Sequence, residues 1–223
     1  MKKFSLLDVA AIVIWLVPIG YLCYIYPSLP ATVPMHFDMA GKPNGFGTRS
    51  SFLTFQYIML GLSPFLYLLL KYIPAIDPKK KVKVGEATFM KLGLGLVVLF
   101  SALDIMIVYA TKTGGFRMDK ILLPMIGLFF AFIGNLMHNI KPNYFAGIRT
   151  PWTLEDIDTW RVTHRLAGKL WFAGGILITI VMLFLPLVAG IITFFSMTFV
   201  LVAVPIIYSY NYYKKHHPNK SAE

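Results

Sequence analysis

Six long apolar stretches restrict this sequence more than any other feature. They cover residues 9–26, 52–73, 92–110, 121–137, 170–187 and 191–210. A helix needs about 20 mostly apolar residues to cross a bilayer, and each stretch meets or approaches that length. With 57% hydrophobic and only 14% charged residues, the chain carries more apolar surface than one soluble core can bury. The sequence therefore predicts an all-α integral membrane protein, with about six transmembrane helices, that crosses the cell membrane several times.

The positive charges between these stretches predict the orientation of the helices. If the N-terminus is cytoplasmic, sixteen of the 21 Lys and Arg residues fall on the inner side. The five on the outer side are Lys42, Arg49, Lys112, Arg117 and Lys120. Cytoplasmic loops are enriched in Lys and Arg, so we expect both termini in the cytoplasm. The net charge of +11 then reflects attraction to the anionic head groups of the lipid bilayer. No direct nucleic-acid partner is predicted.

The same pattern predicts four regions along the chain. A two-helix membrane domain occupies residues 1–75, and a linker with the third span follows at 76–118. A second membrane domain covers 119–213, and a basic cytoplasmic tail covers 214–223. Two connections are too long and too patterned to be simple linkers. We call residues 27–51 the outer loop and residues 139–168 the inner loop, after their predicted sides of the membrane.

The outer loop carries candidate residues for binding an extracellular ligand. Its four prolines exclude a helix. Residues 32–38 are expected to be extended, which places His36 and Asp38 on one face, and 42–45 reads as a turn containing Asn44. His36, Asp38 and Asn44 are therefore predicted to contact a ligand. A metal is the alternative, as is a His36 that only packs, but catalytic zinc takes three protein ligands, so no metal site is predicted.

The inner loop has the densest pattern of polar and aromatic residues in the chain. Thr150 can cap a helix and Pro151 suits its first position, so a helix is predicted from Pro151 to about Leu166. Asp158 is expected to pair with Arg161. This helix is predicted to lie along the membrane interface and to lead into the fifth span. Its surface either docks a cytoplasmic partner or anchors the loop to anionic lipid, and the physical pattern leaves both readings open.

Three inner segments resemble a known family. They read IGN at 133–135, KPNYFAGIRTPWTL at 141–154 and WRVTHRLAGK at 160–169. Together they resemble the signature of the SdpI family of bacterial membrane immunity proteins, which makes 119–213 the SdpI-like domain. The segments PMH at 34–36 and NGFG at 44–47, with Gly41, resemble the short membrane domain of unknown function that often precedes this signature.

The resemblance implies a protein that protects the cell from a secreted peptide toxin. It also implies that the protein can hold a transcriptional autorepressor at the membrane when the toxin is present. The residues that match the signature, and that this resemblance suggests for partner binding, are Asn143, Gly147, Arg149, Thr150, Pro151, Trp152, Trp160, Thr163 and His164. The outer candidate is His36.

A function of another class remains open from the sequence. Asp104 lies within the third span, where a carboxylate is costly and often functional or paired. A membrane enzyme or small transporter would use His36, Asp104 and His138, and it would require His36 and Asp104 to meet in one cavity. No nucleotide-binding loop or nucleophile motif is present, so neither an enzyme nor a cofactor is predicted.

Overall fold

The computed structural model describes residues 4–38, 40–76, 86–115, 117 and 119–218, and it is built almost entirely of helices. The helices are α1 (Leu6–Ile25), α2 (Arg49–Ile76), α3 (Glu86–Thr113), α4 (Asp119–Met137), α5 (Pro151–Glu155), α6 (Ile157–Phe184) and α7 (Leu187–His216). One turn of 3₁₀ helix, Tyr26–Ser28, follows α1, and two strands, β1 (Thr32–Phe37) and β2 (Pro43–Thr48), precede α2.

Six of these helices are long and apolar enough to cross a bilayer. They coincide with the six predicted stretches, so the all-α, multi-pass fold is confirmed. The main difference is the fifth span, which begins at Ile157 rather than at 170 because Asp156 caps a helix whose first turns are polar. The orientation of the termini and the four predicted regions stay predictions, and most of the expected linker and the end of the basic tail lie outside the described residues.

The chain forms two compact units. The first comprises Met1–Tyr72 and Phe89–Met125, and the second comprises Ile73–Thr88 and Ile126–Glu223. Each unit contains the greater part of three long helices and one of the two long loops. The α4 helix begins in the first unit and lies mostly in the second.

The first unit packs α1, α2 and α3 around two clusters of apolar side chains. One cluster includes Leu22, Val33, Phe52 and Val108. The buried Val33 thus attaches the hairpin formed by β1 and β2 to the helices. The hairpin is fastened further by Thr111, whose hydroxyl donates to the carbonyl of Pro34 over 3.2 Å. An isolated two-stranded ribbon is only marginally stable in water, and these contacts explain its order.

The second unit packs α4 and α6 along a seam of small residues. A Cβ built on Gly134 would lie 2.3 Å from the backbone nitrogen of Phe172, and one built on Gly175 would lie 2.4 Å from that of Ala131. Only glycine permits backbones to approach this closely, and this type of seam is typical of helices packed in membranes. Beside the seam, Phe130 contacts Trp171 with ring centroids 5.2 Å apart.

In both units, a tryptophan from a neighbouring helix replaces the hydrogen bond that a proline removes from a transmembrane helix. Proline has no N–H, so it leaves the carbonyl four residues earlier without its helical partner. In the first unit, Pro64 frees the carbonyl of Leu60, and the indole of Trp15 donates to that carbonyl over 2.7 Å. In the second, Pro205 frees the carbonyl of Leu201, and the indole of Trp171 donates to it over 2.8 Å. Each tryptophan thus ties two helices of its unit together.

Candidate functional site

The inner loop begins with a turn organised by one buried asparagine. The side-chain amide of Asn143 donates to the carbonyls of Lys141 and Ala146, over 2.8 and 3.1 Å. Its side-chain oxygen accepts from the backbone N–H groups of Phe145 and Ala146. The side chain is 1% exposed, so all its hydrogen-bonding capacity serves the loop rather than a partner.

The centre of the inner loop packs on a stacked pair of rings from α6. The rings of Trp160 and His164 stack with centroids 4.0 Å apart. The Nδ1–H of His164 donates to the carbonyl of Trp160 over 2.8 Å, which leaves Nε2 to accept from the N–H of Ile148 over 3.1 Å. The indole of Trp160 donates to the carbonyl of Ile140 over 2.8 Å. Both ring nitrogens of His164 are therefore used inside the protein.

Gly147 is required by both its conformation and its surroundings. Its φ of +114° lies in a region that side chains with a Cβ rarely adopt. A Cβ at this position would also lie 2.4 Å from Nε2 of His164. The glycine of the signature thus lets the loop lie directly on the stacked rings.

The helix predicted from Pro151 to about Leu166 is in fact two helices. Thr150 caps the short α5, where its hydroxyl accepts from the N–H of Thr153, and Pro151 takes the first position as predicted. Asp156 then ends α5 in an extended conformation and caps α6, accepting from the N–H of Thr159 over 2.7 Å. Burial raises the pKa of Asp156, but the hydrogen bonds from the Thr159 side chain and backbone outweigh it and the pKa is lowered. An aspartate favours a cap over a helix interior, which explains the break.

The short α5 is tied to the end of α7. The indole of Trp152 donates to the hydroxyl of Ser209 over 2.7 Å, and its ring meets that of Tyr210 edge to face. The hydroxyl of Tyr213 donates to the carboxylate of Glu155 over 2.8 Å. Trp152 is therefore a structural contact between α5 and α7. The predicted pair of Asp158 and Arg161 is present at 2.8 Å and is exposed.

Four of the nine predicted partner-binding residues are buried. Thr163, like Asn143, Trp160 and His164, is buried, and its hydroxyl has no hydrogen-bond partner. Arg149 is exposed, and its guanidinium donates to the carbonyl of Tyr144. Tyr144 and Phe145 are 40% and 36% exposed and stand on the same loop. Arg149 thus stands on the loop beside two exposed aromatic rings, which the sequence analysis did not select, and the predicted residues Gly147 and Pro151 are exposed as well.

The outer loop forms the expected extended segment, but its turn lies elsewhere. The predicted turn at 42–45 was wrong, since residues from Pro43 onward belong to β2. The chain instead turns at 38–42, where Oδ1 of Asp38 accepts from the N–H groups of Ala40 and Lys42, each over 2.9 Å. Gly41 supplies the positive φ of 80° that closes this turn. Asp38 therefore organises the turn.

His36 pairs with Asn44 across the two strands. The Nδ1–H of His36 donates to the side-chain oxygen of Asn44. Gly45, opposite His36, leaves room for the imidazole, because a Cβ there would lie 2.9 Å from Cβ of His36. On the same ribbon Met35 is 38% exposed and Phe46 is 65% exposed. The hairpin thus presents an exposed polar pair and two apolar side chains to its surroundings.

A buried ion pair in the first unit escaped the sequence analysis. The ammonium of Lys71 donates to Oδ1 of Asp8 over 2.6 Å, and the hydroxyl of Tyr67 donates to the same oxygen over 2.9 Å. Asp8 and Lys71 are 4% and 6% exposed. An aspartate at the start of an apolar run was the available signal, since such a charge needs a partner. The three residues border a cavity of about 350 Å³ that is otherwise mostly apolar.

Of the residues of the alternative function, His36 and Asp104 lie in the first unit, in different surroundings. His36 lies on the exposed ribbon, whereas Asp104 is 2% exposed inside the first unit, with its Oδ2 atom unpaired. His138 is exposed just beyond the end of α4, in the second unit. Among the described residues, no group of three or more His, Cys, Asp or Glu side chains is arranged to hold a metal ion.

These features define a multi-pass helical membrane protein with one structured loop in each unit. Residues 139–209 match the SdpI/YfhL protein family, and residues 13–60 match a domain of unknown function, DUF1648. Over 194 residues the chain is 27% identical to the immunity protein SdpI of Bacillus subtilis (strain 168), which covers 86% of this chain and 88% of that protein. No solved structure matches the chain significantly. Part of the chain thus matches the SdpI/YfhL protein family, and most of the chain is similar to an immunity protein.

Proposed function

We propose that this protein makes the cell that carries it resistant to a secreted antimicrobial peptide. The observation that carries the proposal is the similarity to the immunity protein SdpI, which extends over 86% of this chain and so includes both units and both loops. The protein acts by binding rather than by catalysis, in keeping with its similarity to an immunity protein.

The outer loop is the proposed contact for the peptide. The hairpin exposes Met35 and Phe46 as well as the pair of His36 and Asn44, so it offers both apolar contact and polar groups. A membrane-active peptide carries both kinds of group. Asp38 contributes indirectly, because it sets the turn that holds the two strands in register.

The surface formed by Arg149, Tyr144 and Phe145 on the inner loop is the proposed contact for a transcriptional repressor. Arg149, Tyr144 and Phe145 are exposed together, and Arg and aromatic residues are enriched at protein interfaces. The other residues of the signature, several of them buried, hold this surface in place. We therefore assign Asn143, Gly147, Thr150, Pro151, Trp152, Trp160, Thr163 and His164 a positioning role and Arg149 a direct one.

Deletion of the gene tests the proposal as a whole. We expect the deletion strain to become sensitive to a peptide secreted by its own or a neighbouring strain, and expression of the intact protein to restore growth. The variant Phe46→Ser should restore growth less well at equal protein level in the membrane. Unchanged sensitivity of the deletion strain to all such secreted peptides would exclude the immunity function.

The repressor contact has its own test, which leaves resistance intact. In cells that carry a repressor gene adjacent to this one, Arg149→Gln should release a fluorescently tagged repressor from the membrane without loss of resistance. Arg161→Gln is the matched control, because Arg161 is exposed in the same unit but its charge is already paired with Asp158. Equal repressor localisation in both variants would contradict the assignment of Arg149.

A further inference from the structure

A groove in the second unit borders the C-terminal end of the inner loop. It has a volume of about 550 Å³ and lies between α4 and α6. Asn135 and His138 line it from the α4 side, and Arg165, Lys169 and Phe172 line it from α6. Its size falls within the range of small-molecule sites, which is about 300–1,000 Å³.

The two cations of the groove have no counter-ion in the part of the chain that the structure describes. Arg165 and Lys169 form no ion pair or hydrogen bond among the described residues, whereas Arg161, one turn earlier in the same row, is paired with Asp158. Arg165 and Lys169 stand four residues apart and so project from one face of α6. The groove therefore concentrates positive charge that a ligand can neutralise.

The glycine seam explains why a groove exists at this point. Gly134 and Gly168 form its floor, and a Cβ on Gly168 would lie 3.0 Å from the carbonyl oxygen of Gly134. The two backbones are in contact, and neither residue has a side chain to fill the space above them. The longer side chains of Arg165 and Lys169 thus form a wall around an open floor.

The groove lies where the hydrocarbon core of a bilayer would end. At about 1.5 Å per residue, the 19 residues of α4 span roughly 28 Å, close to the thickness of that core. His138 follows the last residue of α4, and Gly168 packs on Gly134 one turn before that end. The cations therefore stand at headgroup level, and Phe172, which is 49% exposed, lies one turn further along α6, in the direction of the apolar core.

We propose that this groove binds the headgroup of an anionic phospholipid. The phosphate is bound by Arg165 and Lys169, Asn135 and His138 supply further polar contacts, and the start of an acyl chain lies on Phe172. Basic pockets between transmembrane helices are a general means of binding anionic headgroups. The order of polar and apolar groups along α6 favours an amphipathic ligand over a free phosphate ion. This site does not depend on the immunity function.

Native mass spectrometry of the full-length protein in mild detergent tests the proposal. Phosphatidylglycerol and phosphatidylcholine are titrated separately, and the ratio of bound fractions gives the preference for the anionic lipid. The double variant Arg165→Gln/Lys169→Gln should lose roughly tenfold or more of that preference. Lys214→Gln/Lys215→Gln is the matched control, since it removes the same charge from exposed positions of the same unit, and it should change the preference less than twofold.

A second variant tests the space in the groove while it leaves the charge of the groove unchanged. Asn135→Trp keeps both cations and fills the space between the helices, so it should reduce phosphatidylglycerol binding as strongly as the double variant. Equal losses in the groove and control variants would show diffuse surface charge and would overturn the proposal. Displacement of the bound lipid by inorganic phosphate, or by an acidic peptide at equal concentration, would also overturn the choice of a lipid as ligand.

Discussion

The two units use the same helical architecture but treat polar groups in opposite ways. In the first unit the polar residues lie among the helices: Gln56, Ser63 and Ser101 are buried with side-chain atoms that have no hydrogen-bond partner. In the second unit most of them lie in the inner loop, where Asn143 and His164 have every polar side-chain atom paired. Thr163 and Thr198 are the exceptions among its described residues.

This difference concerns where each unit places its polar side chains and what that placement costs in stability. A buried polar group without a partner costs stability, on the order of 1–3 kcal/mol, so its retention calls for a reason. The first unit therefore keeps polar side chains among its helices at a cost in stability. The second unit uses its polar side chains mainly to fix the shape of the inner loop.

The largest effect is expected from the buried ion pair of the first unit. Lys71→Met leaves the carboxylate of Asp8 without its cation, and breaking a buried pair costs about 3–5 kcal/mol. The exposed pair of the second unit provides the control, because Arg161→Met should cost at most about 1 kcal/mol. Thermal unfolding in detergent, followed by size-exclusion chromatography, measures both.

The double variant Asp8→Asn/Lys71→Met sharpens this test. It removes both charges, so it should recover part of the loss seen with Lys71→Met. A loss as large for Arg161→Met as for Lys71→Met would mean that burial does not distinguish the two pairs.

The helix packing of the second unit should be more sensitive to small additions than that of the first. Gly175→Ala places a Cβ 2.4 Å from the backbone nitrogen of Ala131, and overpacking of this kind costs about 1–3 kcal/mol. A Cβ on Gly61 in the first unit meets nothing within 4 Å, so Gly61→Ala should stabilise its helix by about 0.5–1 kcal/mol. The measurement is again the unfolding midpoint, and equal shifts of one sign would refute the seam.

The tryptophans test whether the units share one way of accommodating proline. Trp171→Phe removes the donor to the carbonyl of Leu201, and Trp15→Phe removes the donor to that of Leu60. Each should cost about 1–3 kcal/mol, because a buried carbonyl is left unpaired. Replacing the proline should restore the helical N–H that pairs with the carbonyl of Leu201. Pro205→Ala should therefore have a more favourable effect on stability in the Trp171→Phe variant than in the wild type. Purely additive effects in this cycle would show that the indole only fills space.

The membrane spans follow from the sequence because hydropathy depends on single segments. Long apolar runs need no knowledge of their neighbours, and each of the six overlaps one of the long helices over most of its length. The cap at Thr150 and the pair of Asp158 and Arg161 are local in the same sense, because their partners lie within a few residues. Prediction succeeded where the interaction spans one helical turn.

Two local features were also missed, the turn at 38–42 and the cap at Asp156. Most of the remaining features depend on contacts between distant residues. Asp8 is 63 residues from Lys71, and Trp152 is 57 from Ser209, so neither pairing has a local pattern. The prediction of the functional site was limited for the same reason. The sequence does not distinguish a buried motif residue such as His164 from an exposed one. The seven-residue spacing from Gly127 to Gly134 and from Gly168 to Gly175 was an available signal for the seam.

The smallest effect is expected from the cap between α5 and α6, and it depends on pH. The pKa of Asp156 is lowered in the folded protein, so its ionised form contributes stability above the unfolded pKa of about 3.9. This contribution is lost as the pH falls through the lower folded pKa. Asp156→Ala should therefore cost about 0.5–2 kcal/mol at neutral pH, and the difference from wild type should shrink below about pH 4. Asp158→Ala, two residues away and exposed, should cost less than half as much. A difference between Asp156→Ala and wild type that stays constant with pH would show that the capping carboxylate contributes no charge-dependent stability, and that the inner loop is held by its aromatic and amide contacts alone.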